Sequence, residues 1–209
     1  MANVPAWKAA VQKAIDDNAS VRESLYLALA TVRPDGTPAV RTIVFRGFGG
    51  KDADCILFTT DSRRVVDWQI VVGRGGTARR ATRRARGSTE AGSAKMSEIA
   101  ANARAEANWY LPVTRQQFRL RGVLSLVTKD ATSEFDLEER VAAWRRMSDS
   151  GRAAFSRSEV PEREADERSL NRPPSLHADA PVEGSFVLVR FKIDGGELLD
   201  LIADKTTKF

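Results

Sequence analysis

The segment VRTIVFRGF, residues 40–48, sets two arginines, Arg41 and Arg46, among β-branched and aromatic residues. Side chains alternate between the faces of a strand, so Arg41, Ile43 and Phe45 share one side while Thr42, Val44 and Arg46 share the other. Further on, FTTDSR (58–63) ends an apolar run in hydroxyls and a cation, and SAK (93–95) opens a helical stretch. A phosphate group is held by fixed cations, hydroxyls and the free amides of a helix start, so these three segments together describe an anion site. The plainer alternative puts both arginines at solvated strand ends, where they blunt a sheet edge. Local sequence leaves both readings open.

Other chemistry-bearing residues are sparse. A single cysteine, Cys55, excludes an internal disulfide, and with one histidine, His177, it cannot build a zinc or iron-sulfur site from soft ligands. No metal site is expected. Cys55 begins an apolar strand and reads as a small buried residue, and His177 lies in a charged, proline-bearing stretch and reads as a solvated loop residue. Asp136, Glu138 and Glu139 fall in the first turn of a helix, where they answer its dipole rather than form an acid/base pair. Redox chemistry here requires a borrowed cofactor, and no catalytic acid or base is assigned.

The loudest signal is GRGGTARRATRRARG (73–87), with six arginines and no acidic residue. Between positions 64 and 92 seven arginines stand against Asp67 and Glu90, which accounts for the whole formal excess of +5 and the pI near 9.6. The rest of the chain is neutral. A basic arm would bind nucleic acid through phosphates, yet the only nearby aromatic residue, Trp68, lies outside the arginine cluster. Nucleic acid is therefore not the favoured partner.

These residues need a scaffold. A chain of 209 residues, 42% hydrophobic and 29% charged, suits one globular domain spanning 1–209. No run approaches the roughly 18 apolar residues that span a bilayer, and MANVPAWKAAVQKAI lacks a signal-peptide core, so a soluble cytoplasmic protein without membrane contact is expected. Apolar spacing predicts a helix over 5–17, and SLYLALATV, the Pro-Asp-Gly turn of RPDGTP and VRTIVFRGF predict a β-hairpin. CILFTT (55–60), EANWYL (106–111) and 117–129 follow as strands. Residues 93–105 and 133–147 read as helices, the second with a Ser133 cap. A loose connection covers 156–184, and SFVLVRFKI and ELLDL pair as strands around a DGG turn. About seven strands and three helices make an α+β protein, mainly antiparallel β, built as a sheet or small barrel.

In ATVRPDGTPAVRTIVFRGF, in FTTDSR followed by SAKMSEIAANARAEANWY, and in TRQQFRLRG, the chain resembles the pyridoxamine 5'-phosphate oxidase-like flavoproteins, in their FMN-binding domain branch. The resemblance covers most of residues 5–150 and, thinly, SFVLVRF. It implies a split β-barrel with flanking helices, dimerising around FMN held at the subunit interface. Carried over by position, it implies that Arg41, Thr42, Ile43, Val44 and Arg46 line FMN and its phosphate. Thr60, Ser62, Arg63, Ser93 and Lys95 then form the phosphate loop, and Gln117 approaches the flavin ring. Arg119 is a weaker candidate beside it, and Trp109 and Tyr110 read as core or dimer packing. The function implied is a flavin-dependent oxidoreductase of unknown substrate. The alternatives are a barrel that has lost FMN and nucleic-acid binding through the arginine-rich stretch.

Two departures qualify this. The oxidases proper carry a late arginine and histidine for substrate, whereas this chain closes on IADKTTKF, so pyridoxamine phosphate oxidation is not expected. Residues 64–92 interrupt the phosphate loop between Arg63 and Ser93, and their foreign composition reads as translated non-coding sequence such as a retained intron. Spliced transcripts joining the codons of Arg63 and Ser93 are the expected finding; one uninterrupted exon in every transcript overturns it.

Overall fold

The structure is a computed structural model that describes residues 5–63, 94–156 and 176–209. The predicted insertion at 64–92, together with Ser93, lies outside these residues, as do positions 157–175 of the predicted loose connection.

Helix α1 (Ala6–Asp17) presents Trp7, Val11 and Ala14 to the core at the spacing the sequence predicts. A 3₁₀ turn (Arg22–Leu25) leads into β1 (Tyr26–Val32), which pairs antiparallel with β2 (Pro38–Val44). Asp35 accepts the Thr37 amide at 2.9 Å, and Gly36 supplies the positive φ of 84° that the hairpin turn demands. The short β3 (Phe48–Gly49) pairs with β4 (Cys55–Asp61). Helix α2 (Ala94–Ala101) precedes β5 (Arg104–Leu111) and β6 (Gln116–Val127). Helices α3 (Glu134–Arg145) and α4 (Asp149–Ser156) cover one end, and β7 (Phe186–Asp200) and β8 (Lys205–Lys208) follow.

The strands form one antiparallel sheet in the order β2-β1-β5-β6-β7-β4-β3, with β8 added on β7. Its ends meet: the Arg46 amide donates to the Leu57 carbonyl and the Leu57 amide to the Gly47 carbonyl, each at 2.8 Å. This closure makes the mainly antiparallel, α+β split barrel that was expected. One core packs Leu29, Trp109, Phe118 and Leu120 against α1, and a second packs Trp144, Phe155 and Phe186 under α3 and α4. No helix among the described residues is long and apolar enough to cross a membrane.

Several expectations need correction. Asp194-Gly195-Gly196 is not a turn but lies inside β7, where the β6 pairing shifts register so that Arg121 faces Gly195 and Gly122 faces Ile193. These glycines serve close approach: a Cβ on Gly122 would overlap the Lys192 carbonyl, and one on Gly196 the Arg119 carbonyl. The closing hairpin instead turns at residues 201–204, where Asp200 Oδ1 accepts the Ile202 and Ala203 amides at 3.0 and 2.9 Å. Helix α2 ends at Ala101, because Ala103–Arg104 already begin pairing with β6. Ser133 stands at the start of α3 without a side-chain cap bond. The described residues hold eight strands and four α-helices, the additional helix being α4, whose sequence, DSGRAAFS, hides it behind a central glycine. Arg152 secures it, donating to the Trp144, Arg145 and Met147 carbonyls at the open end of α3 and to the Leu176 carbonyl at 2.8 Å.

Because the obstacle at Gly122 is backbone, it cannot step aside as a flexible side chain would. Gly122→Ala is expected to destabilise the protein by about 3 kcal/mol, read as a lower denaturant midpoint.

Candidate functional site

The alternation along β2 divides the expected site residues between two faces. Ile43 is buried in the core, and Arg41, on the same side, points toward α2. Its guanidinium donates to Thr31 Oγ1 and to Glu98 Oε2, and the Thr31 hydroxyl donates to the same carboxylate oxygen. Thr31 and Glu98 are both buried. A buried carboxylate is tolerated only when paired and hydrogen-bonded, and this ring of three does both.

Lys95 sits one helical turn before Glu98, on the same side of α2. Its ammonium lies 5.4 Å from the centroid of the Phe58 ring on β4. No hydrogen bond or ion pair to a described residue holds it. Burial chiefly, and repulsion from Arg41 next, push its amine down to about 8, against the opposing pull of Glu98. At the end of β4, Thr60 is buried and the Ser62 amide donates to the Ser185 carbonyl at 2.9 Å. Arg63 folds back on Asp61, with Nη2 and Oδ2 2.9 Å apart. Arg41 and Lys95 thus lie close enough for the guanidinium to act on the amine.

The opposite face of β2 carries Thr42, exposed, and Val44, half-buried. Across β1, β5 and β6 the same face holds Ala28, Ala30, Asn108, Gln117 and Arg119, which with Val40 and Glu106 line a cavity of about 420 Å³. The two small alanines leave the hollow. Gln117 Nε2 donates to Asn108 Oδ1 at 2.6 Å, and Arg119 pairs with Glu197 at 2.9 Å. Gln117 alternates with the buried Phe118, so it stands on the far side of the sheet from Arg41 and Lys95. Arg46 is half-buried and its Nε has no acceptor among the described residues. Burial holds that guanidinium below its ordinary range, Tyr26 opposing and Arg22 adding to the effect.

Two participants, Thr31 and Glu98, were not expected. The hairpin register, Leu29 opposite Arg41 and Thr31 opposite Ala39, fixes Thr31 diagonal to Arg41 and was readable from the turn. Glu98, three residues after Lys95, was signalled only by an acidic residue beside the apolar Ile99. The readings of Cys55 and His177 hold: the Cys55 thiol is buried and pushed up to about 12, chiefly by burial, whereas His177 is exposed beside Asp179. No cluster of metal-ligating side chains occurs among the described residues.

The family model described as pyridoxamine 5'-phosphate oxidase, FMN-binding domain, matches residues 4–128. Pyridoxine/pyridoxamine 5'-phosphate oxidase 2 of Arabidopsis thaliana is 28% identical over 142 residues, which are 68% of this chain and 57% of that protein. The chain thus spans little more than half the length of that relative. A solved pyridoxamine 5'-phosphate oxidase-related, FMN binding protein from Nostoc punctiforme superposes with a TM-score of 0.71 at 28% identity, covering 100% of this chain and 91% of its own. PhzG from Burkholderia lata, at 21% identity and a TM-score of 0.54 over 97% and 88% of the two chains, shares the fold.

Lys95 carries a stability signature. Its amine titrates near 8 in the folded chain and near 10.5 when unfolded, so between these values the unfolded chain binds more protons and stability rises with pH. Below about 8 the full penalty for the buried charge is present. Lys95→Met is expected to raise stability at pH 7 by roughly 1–3 kcal/mol and to lose that advantage toward pH 10.5, as measured by urea unfolding at the two pH values.

Proposed function

This chain belongs to the pyridoxamine 5'-phosphate oxidase FMN-binding domain family, and we propose that it is an FMN-binding flavoprotein, a flavin-dependent oxidoreductase working as a cytoplasmic homodimer with the cofactor at the subunit interface. The observation that carries this reading is Lys95, a partly buried ammonium beside Arg41 to which no carboxylate among the described residues is bonded. A phosphate ester supplies what that cation lacks. The donor set fits the group: two cations from β2 and α2, the hydroxyl of Thr60, and on the far face an apolar hollow edged by Gln117 and Asn108. In this assignment Arg41, Thr60, Ser62, Arg63, Ser93 and Lys95 hold the phosphate. Thr42, Ile43 and Val44 flank the ligand with Arg46 at the strand end, and Gln117 donates to the ring edge.

When bound, the flavin supplies hydride or electron transfer, and the protein's share is to bind, orient and exclude water. Lys95 fixes the phosphate as a point charge. Gln117, aligned by Asn108, presents an amide at a set height above the sheet. Ala28 and Ala30 keep the wall flat enough for a planar ring.

The test is a visible spectrum and a flavin titration of the full chain. Bound FMN is expected to give the yellow flavin absorbance and a raised melting temperature, and Lys95→Gln to weaken FMN by about tenfold or more while leaving riboflavin, which has no phosphate, unaffected. FMN affinity is expected to fall as pH rises above about 8, where Lys95 loses its proton. A chain that stays colourless with no thermal shift on adding FMN overturns the proposal.

A further inference from the structure

Arg41 and Lys95 are not equivalent cations. Arg41 is fully engaged on one edge: it donates to Glu98 Oε2 directly and to Thr31, which relays to the same oxygen. Glu98 is almost sealed, its side chain 5% exposed against 23% for Arg41, so solvent screens this pair weakly. Lys95, three residues earlier on the same helix, has no such partner among the described residues. Among these three residues two are positive and one negative, and the negative one is bonded to only one of the positive ones.

We infer that Glu98 is the positioning residue of the anion pocket: it clamps Arg41 in place and offsets its charge, leaving Lys95 as the cation that attracts the phosphate. This rests on the placement of a phosphate beside Arg41 and Lys95. The clamp gives up attraction and gains order. With Glu98 charged, Arg41 holds one orientation and spends its field on the helix, so the pocket suits a monoester without becoming a general trap for polyanions. Among the described residues, the charged groups that act on Lys95 are Arg41 from β2 and Glu98 from its own helix, and the facing residue of β4, Phe58, is neutral.

Glu98→Gln keeps an acceptor for Arg41 and Thr31 but removes the charge. It is read in two ways on the full chain: binding of inorganic phosphate at fixed ionic strength, and titration of the Lys95 amine by NMR of isotope-labelled lysine without ligand. The expected result is phosphate binding tightened by about tenfold, the scale of one charge contact in a partly buried site, together with a Lys95 titration moved to lower pH. Should that variant fail to fold, Arg41→Met tests the same field in reverse, moving the Lys95 titration to higher pH and weakening phosphate. Where the wild-type chain binds phosphate, unchanged or weakened binding by a folded Glu98→Gln chain overturns the inference, and so does a Lys95 titration that moves in neither variant. If the titration moves as stated while neither wild type nor variant binds phosphate or FMN, the charge-setting role stands and the flavin assignment falls.

Discussion

Strand β7 is gripped from both sides. Cys55–Asp61 of β4 pairs with Phe186–Lys192 while Gln116–Val127 of β6 pairs with Leu188–Asp200, so one fifteen-residue strand joins the two halves of the barrel. Everything proposed for the anion pocket depends on this. β4 carries Phe58 and Thr60 and leads into Ser62 and Arg63, and its ladder partners are β7 and the two-residue β3. The segment that ends in FTTDSR is therefore held in register by residues well over a hundred positions later, beyond the 4–128 stretch matched by the family model. Ion pairs reinforce the arrangement, Lys192 of β7 meeting Asp54 at 3.1 Å just before β4. Arg190 of β7 pairs with Asp136 and Glu139 of α3, and Glu139 also accepts the Gly50 amide at 2.7 Å, which pins the turn just before β4.

Four arginines carry the buried polar architecture, each by a different route. Arg140 donates to the Glu183 and Phe186 carbonyls and fixes the entry of β7. Arg152 satisfies the open end of α3, Arg190 ties α3 to the sheet, and Arg41 ties β2 to α2. A planar guanidinium with five donors can serve several carbonyls or a carboxylate at once, which lysine cannot. The same residue type that fills the insertion at 74–86 thus also builds the fold.

Much of the scaffold was legible in the sequence because it was written in local chemistry. The β1–β2 hairpin announced itself through Pro34-Asp35-Gly36 and flanking alternation, and the acidic start and basic end of α3 agree with its dipole. What could not be read depended on partners distant in sequence. Gly195-Gly196 has the composition of a turn, but the approach of Arg119 and Leu120 makes it a strand interior. Arg152 is buried by the end of α3 and by Leu176, partners that its local sequence does not show. Within the site, strand alternation correctly sorted Arg41 from Thr42. It gave no hint that Arg41 would already be occupied by Glu98, because that pairing is set by the docking of α2 across β1.

The division of the site by β2 constrains any ligand that uses both halves. Arg41 and Ile43 lie inside, Thr42 and Val44 outside, and no molecule reaches both sets through a paired sheet. It can do so only around the margin of β2, the terminal strand of the order, which meets β4 through the backbone of Arg46, Gly47 and Leu57. That margin offers main-chain donors and acceptors as well as side chains. Under the proposed assignment an extended ligand would turn an anionic end inward toward Lys95 and lay a planar end against the outer face over Ala28 and Ala30.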